Sequence, residues 1–191
     1  MFLSSLLVTN RSLLPSLMPL NKFAPQVATH RRTRSAILAG AKRLIATVGL
    51  AKMSMTEIAD TSQVSRATLY NHYRDKESVI AALCESEISR LIAIAMNAPN
   101  ATDSLELLSI QISTDSALAH MRTHEPAPLG QALAATENPL WPAFSDLLCV
   151  ITGSQVLAEV AVRWLLAQVF NPLTPEGSRL QAELLISRAH L

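Results

Sequence analysis

Apolar residues recur along this chain at helical spacing, and no stretch shows the period-two alternation of a strand. Ile37, Ala41, Leu44, Ile45 and Val48 share one helix face. That helix is expected to begin near Arg31 or Thr33 and to stop at Gly49, a residue suited to a C-cap. A second, short helix opens at SMTE: Ser54 can cap it and Glu57, three residues on, can close a capping box. Met55, Ile58 and Ala59 form its apolar face, and it ends near Ser62. Ser65 is the next good N-cap, so a third helix runs from Arg66 to about His72. It buries Leu69 with Tyr73 nearby, and Val64 anchors the turn before it. A fourth starts around Asp75, carries Ile80, Leu83, Cys84, Ile88, Leu91, Ile92 and Ala95, and ends before Pro99 and Asn100.

The pattern beyond residue 100 predicts further helices: Asp103 to about Met121, Leu129 to Thr136, Ala143 to Ile151, Gln155 to Phe170, and about Ser178 to Ala189. EPAP, ENPLWP, Gly153–Ser154 and NPLTPEG separate them. Composition agrees with an all-α chain: 49% of the 191 residues are apolar but only 4% aromatic. The expected organisation is a flexible tail (1–29), a front domain of short helices (30–76), a connecting helix (77–97) and a helical rear domain (98–191). Residues 1–29 fit no secretory signal, because no Lys or Arg precedes Phe2–Val8, and no stretch reaches the roughly 18 apolar residues of a membrane span. Where the protein truly starts is open, Met18 being a second candidate. Cys84 and Cys149 lie in apolar helical patterns and are expected as buried, reduced thiols, which fits a cytoplasmic protein with no membrane partner.

Charge changes the picture. The total is only +1. Yet residues 30–76 hold nine Lys or Arg against three acids, while residues 97–191 hold four Arg against nine acids. A basic front and an acidic rear point to an anionic partner for the front alone. The two short helices joined by a tight turn sit in that basic front and fit a helix-turn-helix. Their side chains then make chemical sense. Arg66 can reach guanine O6 and N7 or a phosphate; Thr68 can meet a thymine methyl or a phosphate; the Tyr70 hydroxyl suits a backbone phosphate; Asn71 and His72 can contact phosphates or base edges. Lys76 sits where orphan helix N–H groups already favour an anion. The run HRRTR, with Arg31 and Arg32, is either a solvated charge run or a disordered basic arm touching phosphates or the minor groove.

The segment TRSAILAGAKRLIATVGLAKMSMTEIADTSQVSRATLYNHYRDKESVIAAL, with its TEIA, VS turn, TLYNHY and KESV, resembles the N-terminal domain of TetR-type transcriptional regulators over roughly residues 31–83. The resemblance implies a DNA face made by Arg66, Ala67, Thr68, Tyr70, Asn71 and His72, with Lys76 and Thr56 clamping phosphates. It also implies dimerisation through the two C-terminal helices as a four-helix bundle. One departure is Gln63, where the family usually has Gly; if that position has φ > 0, Gln costs about 1 kcal/mol.

The rear carries no catalytic pattern, so no enzyme, cofactor or metal is called for. His120 and His124 have the spacing of two helical metal ligands but lack further donors, and read as a surface or pocket-lining pair. Trp141, at a helix start between Pro139 and Pro142, and Phe144 are either core aromatics or the wall of a ligand pocket shared with His120 and His124. Gln155–Phe170 has one polar stripe, Gln155, Glu159 and Arg163, and is otherwise apolar. Val156, Val160 and Trp164, with Leu180 and Leu184 of the last helix, are therefore expected at a homodimer interface. The reading is a ligand-responsive repressor that binds a palindromic operator on double-stranded DNA and responds to a small apolar or amphipathic effector. In it the fourth helix tilts on effector binding. The alternative is a ligand-independent DNA-binding or protein-interaction module with a filled rear core.

Overall fold

The computed structural model describes residues 24–134 and 140–187. Among them there are ten α-helices and no strand: α1 (Ala24–Thr47), α2 (Met55–Ser62), α3 (Arg66–His72), α4 (Lys76–Met96), α5 (Ala101–Ser113), α6 (Ser116–His124), α7 (Pro126–Ala134), α8 (Leu140–Thr152), α9 (Gln155–Phe170) and α10 (Pro175–Ser187).

Local chemistry sets the first four. The α1 face buries Ile37, Leu38, Ala41, Leu44 and Ile45, and Gly49 ends it at φ 90° with its N–H on the Leu44 carbonyl. Gly40 lets α2 approach: a Cβ there would fall 2.1 Å from Ser62 Oγ. Ser54 and Glu57 form the expected capping box. Gln63 takes the left-handed conformation, φ 57°, and the Val64 N–H reaches back to the Ala59 carbonyl. Ser65 caps α3. Asp75 caps α4 in a reciprocal pair with Ser78; the Ser78 amide, and after it Arg74, holds the Asp75 carboxyl below the usual carboxylate range.

Several boundaries differ from expectation. α1 begins at Ala24, so Arg31 and Arg32 lie on an ordered helix and not on a disordered arm. Pro25 occupies its first turn, where a missing N–H costs nothing. The single helix expected from Asp103 to Met121 is two, because Asp115 leaves the helical conformation to cap α6 through the Leu118 N–H. α7 starts at Pro126, α8 at Leu140 and α10 at Pro175, each earlier than the pattern indicated. Residues 136 and 189 lie outside the described part. Cys84 is exposed and Cys149 half-buried, both free, so Cys84 is not the buried thiol expected.

α5 is the hub of the rear, packed on α4, α9 and α10, with Leu105 and Leu108 fully buried. Truncating either to Ala would cost about 2–5 kcal/mol. A buried polar knot ties the same helices. The Ser109 hydroxyl lies 2.6 Å from Gln168 Oε1 and 2.6 Å from the Ser178 hydroxyl, and Ser113 donates to Gln168 Oε1 at 3.1 Å. No buried side-chain polar atom among the described residues lacks a partner, so the knot costs little while fixing helix register. No single helix among them is long and apolar enough to cross a membrane; α8 and α9, which together would be, bend by 117°.

Front and rear meet where α1 packs on α6 and α4. α6 is tied to the front at both ends. At its N-terminus Asp115 pairs with Lys42 at 2.6 Å. At its C-terminus Glu125 accepts the Leu50 and Ala51 N–H groups, each at 2.7 Å.

Candidate nucleic-acid interface and effector cavity

α3 buries Leu69 and turns Arg66, Ala67, Tyr70 and Asn71 to solvent. Tyr70 is 56% exposed, too much for a core aromatic, whereas Tyr73 is buried at 8% and accepts the Arg34 Nε–H at 3.2 Å. Thr68 is half-buried, and its hydroxyl lies 2.8 Å from Ser65 Oγ, so part of its capacity goes to the cap. Thr56 stands half-buried in the first turn of α2. Lys76 donates to the Leu50 carbonyl at 3.3 Å. The loop held by Glu125 through its amides is therefore also held by Lys76 through its carbonyl.

His72 is half-buried and stacks on His30 of α1, ring centroids 4.1 Å apart. Burial first, then the charges of His30 and Arg34, lower its pKa below the ordinary histidine value. The stack sets the N-terminal half of α1, with exposed Arg31 and Arg32, against the end of α3. Sequence reasoning missed His30: its partner is 42 positions away, and no local pattern announces the pair.

Two small cavities lie in the described part of the rear. One, of about 130 Å³, is lined by Trp141, Phe144, Leu133, Val162 and Leu165 among others, every one of them apolar. A second, of about 180 Å³, lies toward α1 and carries Lys42, Glu87, Arg90 and Asp115 beside its apolar wall. Leu91, Ile112 and Leu118 line both. On the outer side, Trp141 and Leu133 also border an open groove of about 430 Å³ that carries Glu159 and Arg163. The four residues grouped by sequence thus separate. Trp141 and Phe144 share a cavity; His120 and His124 line neither. Those two stack on each other at 4.5 Å beside the interdomain contact, where His120 Nε2 would lie 3.1 Å from a Cβ placed on Gly49. No group of three or more His, Cys, Asp or Glu among the described residues could hold a metal ion. A wider groove of about 480 Å³ between α1 and α4 is open to solvent and apart from these aromatic residues.

On α9 and α10, Val156 is 71% exposed, Val160 41%, Leu180 58% and Leu184 59%. Trp164 is half-buried and donates its indole N–H to Gln181 Oε1 at 2.6 Å, joining the two helices. Four large apolar side chains therefore face solvent in the single chain around this bridge.

Residues 37–83 match the family described as bacterial regulatory proteins, tetR family. The HTH-type transcriptional repressor Rv1474c of Mycobacterium tuberculosis is 32% identical over 62 residues, which span 32% of this chain and 33% of that protein, about a third of each. Among solved structures, the fatty acid degradation regulator FadR of Bacillus halodurans superposes with a TM-score of 0.61 at 15% identity, over 82% of this chain and 94% of its own. The TetR family repressor AlkX of Dietzia sp. does so with 0.58 at 13% identity, over 82% and 95%. FadR of Bacillus subtilis, solved with stearoyl-CoA, gives 0.52 at 16% identity, over 81% and 96%. These structural likenesses establish the shared helical fold, front and rear. Residues 37–83 are thus similar to the N-terminal domain of the tetR family of bacterial regulatory proteins, and the whole chain shares the helical fold of the regulators it superposes on.

Proposed function

We propose that the chain is a homodimeric, ligand-responsive transcriptional repressor that acts in the cytoplasm on a near-palindromic operator. The observation that carries this reading is the α3 surface: Arg66, Tyr70 and Asn71 face solvent on a short helix within a basic front, an arrangement that serves a duplex and not a core. The apolar face of α9 and α10 supports a dimer with two recognition helices, hence a two-fold site. Two cavities behind the interdomain contact support a small-molecule effector. Structural relatives solved with stearoyl-CoA or implicated in biodegradation of n-alkanes favour an aliphatic one. The reading as a module with a filled core predicts no such space.

Coupling has a physical route in this reading. Leu91 of α4 and Leu118 of α6 line both cavities, so an occupant would press on the two helices that meet the front. α6 would pull on the Leu50–Ala51 loop through Glu125, and α4 would shift Lys76. Effector and DNA then oppose each other by linkage. The test is selection of duplexes from a randomised pool by the full chain, followed by binding against salt. An inverted repeat is expected, with affinity falling steeply as salt rises and Arg66→Ala losing base preference by about 1–3 kcal/mol. Enrichment of no duplex would refute the reading.

A further inference from the structure

The cavities are apolar, but the charges around them decide what can enter. We propose that the effector is a small, uncharged, mainly aliphatic molecule, and that acyl anions and their coenzyme esters are excluded; this deepens the ligand-responsive reading and rests on it.

Three cations stand at the edges of the cavities and the outer groove among the described residues, and each is already engaged. Lys42 lies 2.7 Å from Glu87 and 2.6 Å from Asp115. Arg90 lies 2.9 Å from Glu87 and donates to Gln111 Oε1 at 2.6 Å. Arg163 is 3.4 Å from Glu159. Around the inner rim, Lys42 and Arg90 balance Glu87 and Asp115, so the site offers an anion no net attraction. An entering carboxylate would have to displace one of the two acids. Asp115, with its side chain only 11% exposed, would then be left without its cation while still capping α6; a charge stranded in that way is penalised heavily. In the other cavity, the lining that includes Phe144 and Leu165 is apolar and has no charged group to receive a charged head. Size acts in the same direction. Volumes of about 130 and 180 Å³ lie below the ~300–1,000 Å³ of drug-sized sites, which suits one thin chain and not a nucleotide-bearing ester.

The experiment compares 1-octanol with octanoate at pH 7.5 on the full chain bound to its selected duplex. Readouts are duplex release and the tryptophan fluorescence change that Trp141→Phe abolishes. Octanol is expected to bind and release the duplex at concentrations at least about tenfold below octanoate, the discrimination expected when one ligand strands a charge. Glu87→Gln removes one compensating acid, so octanoate should gain several-fold while octanol stays level. Octanoate binding the wild-type chain as tightly as octanol would overturn the inference. So would Glu87→Gln without any gain for octanoate, or a chain that holds its duplex and responds to neither probe. Failure to select any duplex would instead overturn the regulator reading on which the inference rests.

Discussion

Glu125 grips Ala51 across 74 positions of sequence: its Oε1 accepts the Ala51 N–H at 2.7 Å, while its Oε2 takes the Leu50 N–H at the same distance. Glu125 closes α6 as its C-cap and directly precedes α7, its carbonyl accepting the Leu129 N–H. A negative charge there opposes the dipole of α6 but suits the N-terminus of α7, so the two effects offset. What the carboxylate adds is its pair of charge-assisted hydrogen bonds to the front.

Glu125→Gln tests this bond. Glutamine keeps the size but offers one oxygen, so its amide N–H₂ would face a backbone N–H. Stability should fall by about 1–3 kcal/mol, and operator affinity should fall with it because the loop also holds Lys76. Denaturant unfolding and fluorescence anisotropy measure the two. A variant as stable as wild type would show that the contact contributes nothing net.

Gln63→Gly relieves the left-handed turn. With φ at 57° and the side chain exposed, glycine should raise stability by up to about 1 kcal/mol. DNA affinity should not change, since Gln63 lies outside the α3 face. A loss of stability would mean that the added freedom of the unfolded chain outweighs the strain.

The parts legible in sequence were those set within one turn. Ser54 and Glu57, or Ser65 and Thr68, are three residues apart, and their capping is a property of residue type and spacing. Gln63 stood out as a departure from the Gly usual in the resembled family, and the structure gives it φ 57°. Prolines were harder to place. Pro25, Pro126 and Pro175 sit in the first turns of helices, so the same residue that reads as a break also marks a beginning. Asp115 was hidden because the Ser-Thr-Asp-Ser run between Ile112 and Ala117 holds neither Gly nor Pro to signal a break. The candidate site was legible on α3, whose odd exposed side chains form a local signal. It was not legible at Glu125 with Leu50, at His30 with His72, or at Lys42 with Asp115, since only the folded chain brings these together. His120 and His124 looked like pocket residues by type, but their position faces the interdomain contact.

The His30–His72 stack makes the front sensitive to acid. The folded pKa of His72 lies below its ordinary value, through burial, then His30, then Arg34. The unfolded chain therefore takes up the proton first, near pH 6.5. The neutral ring's contribution to stability is fully present above about pH 6.5 and is lost as pH falls through the lower folded value. Tm should decline between pH 7.5 and 5.5, and His30→Phe, which keeps an aromatic ring but no second charge, should flatten that decline. Equal pH dependence in both proteins would remove the stack from the account.

The proposed dimer face allows a test that separates interface from core. Val160 is 41% exposed and Leu184 59%, so in a lone chain a charged residue at either position meets water and costs the fold little. In a dimer built on α9 and α10 the same charge would be buried against apolar side chains without a partner, a penalty of several kcal/mol per subunit. Two-fold symmetry places each substitution twice in the interface, doubling the effect. Val160→Asp and Leu184→Lys should therefore sediment as monomers at micromolar concentration while keeping their helical circular dichroism. Leu165→Asp, by contrast, alters a side chain only 2% exposed and should unfold the rear outright. The monomers should also lose operator affinity by far more than a contact variant such as Lys76→Ala, because each half-site would have to be held alone. A Val160→Asp chain that stays a soluble dimer would place the interface on another face, and a Leu184→Lys chain that unfolds would assign that residue to the core.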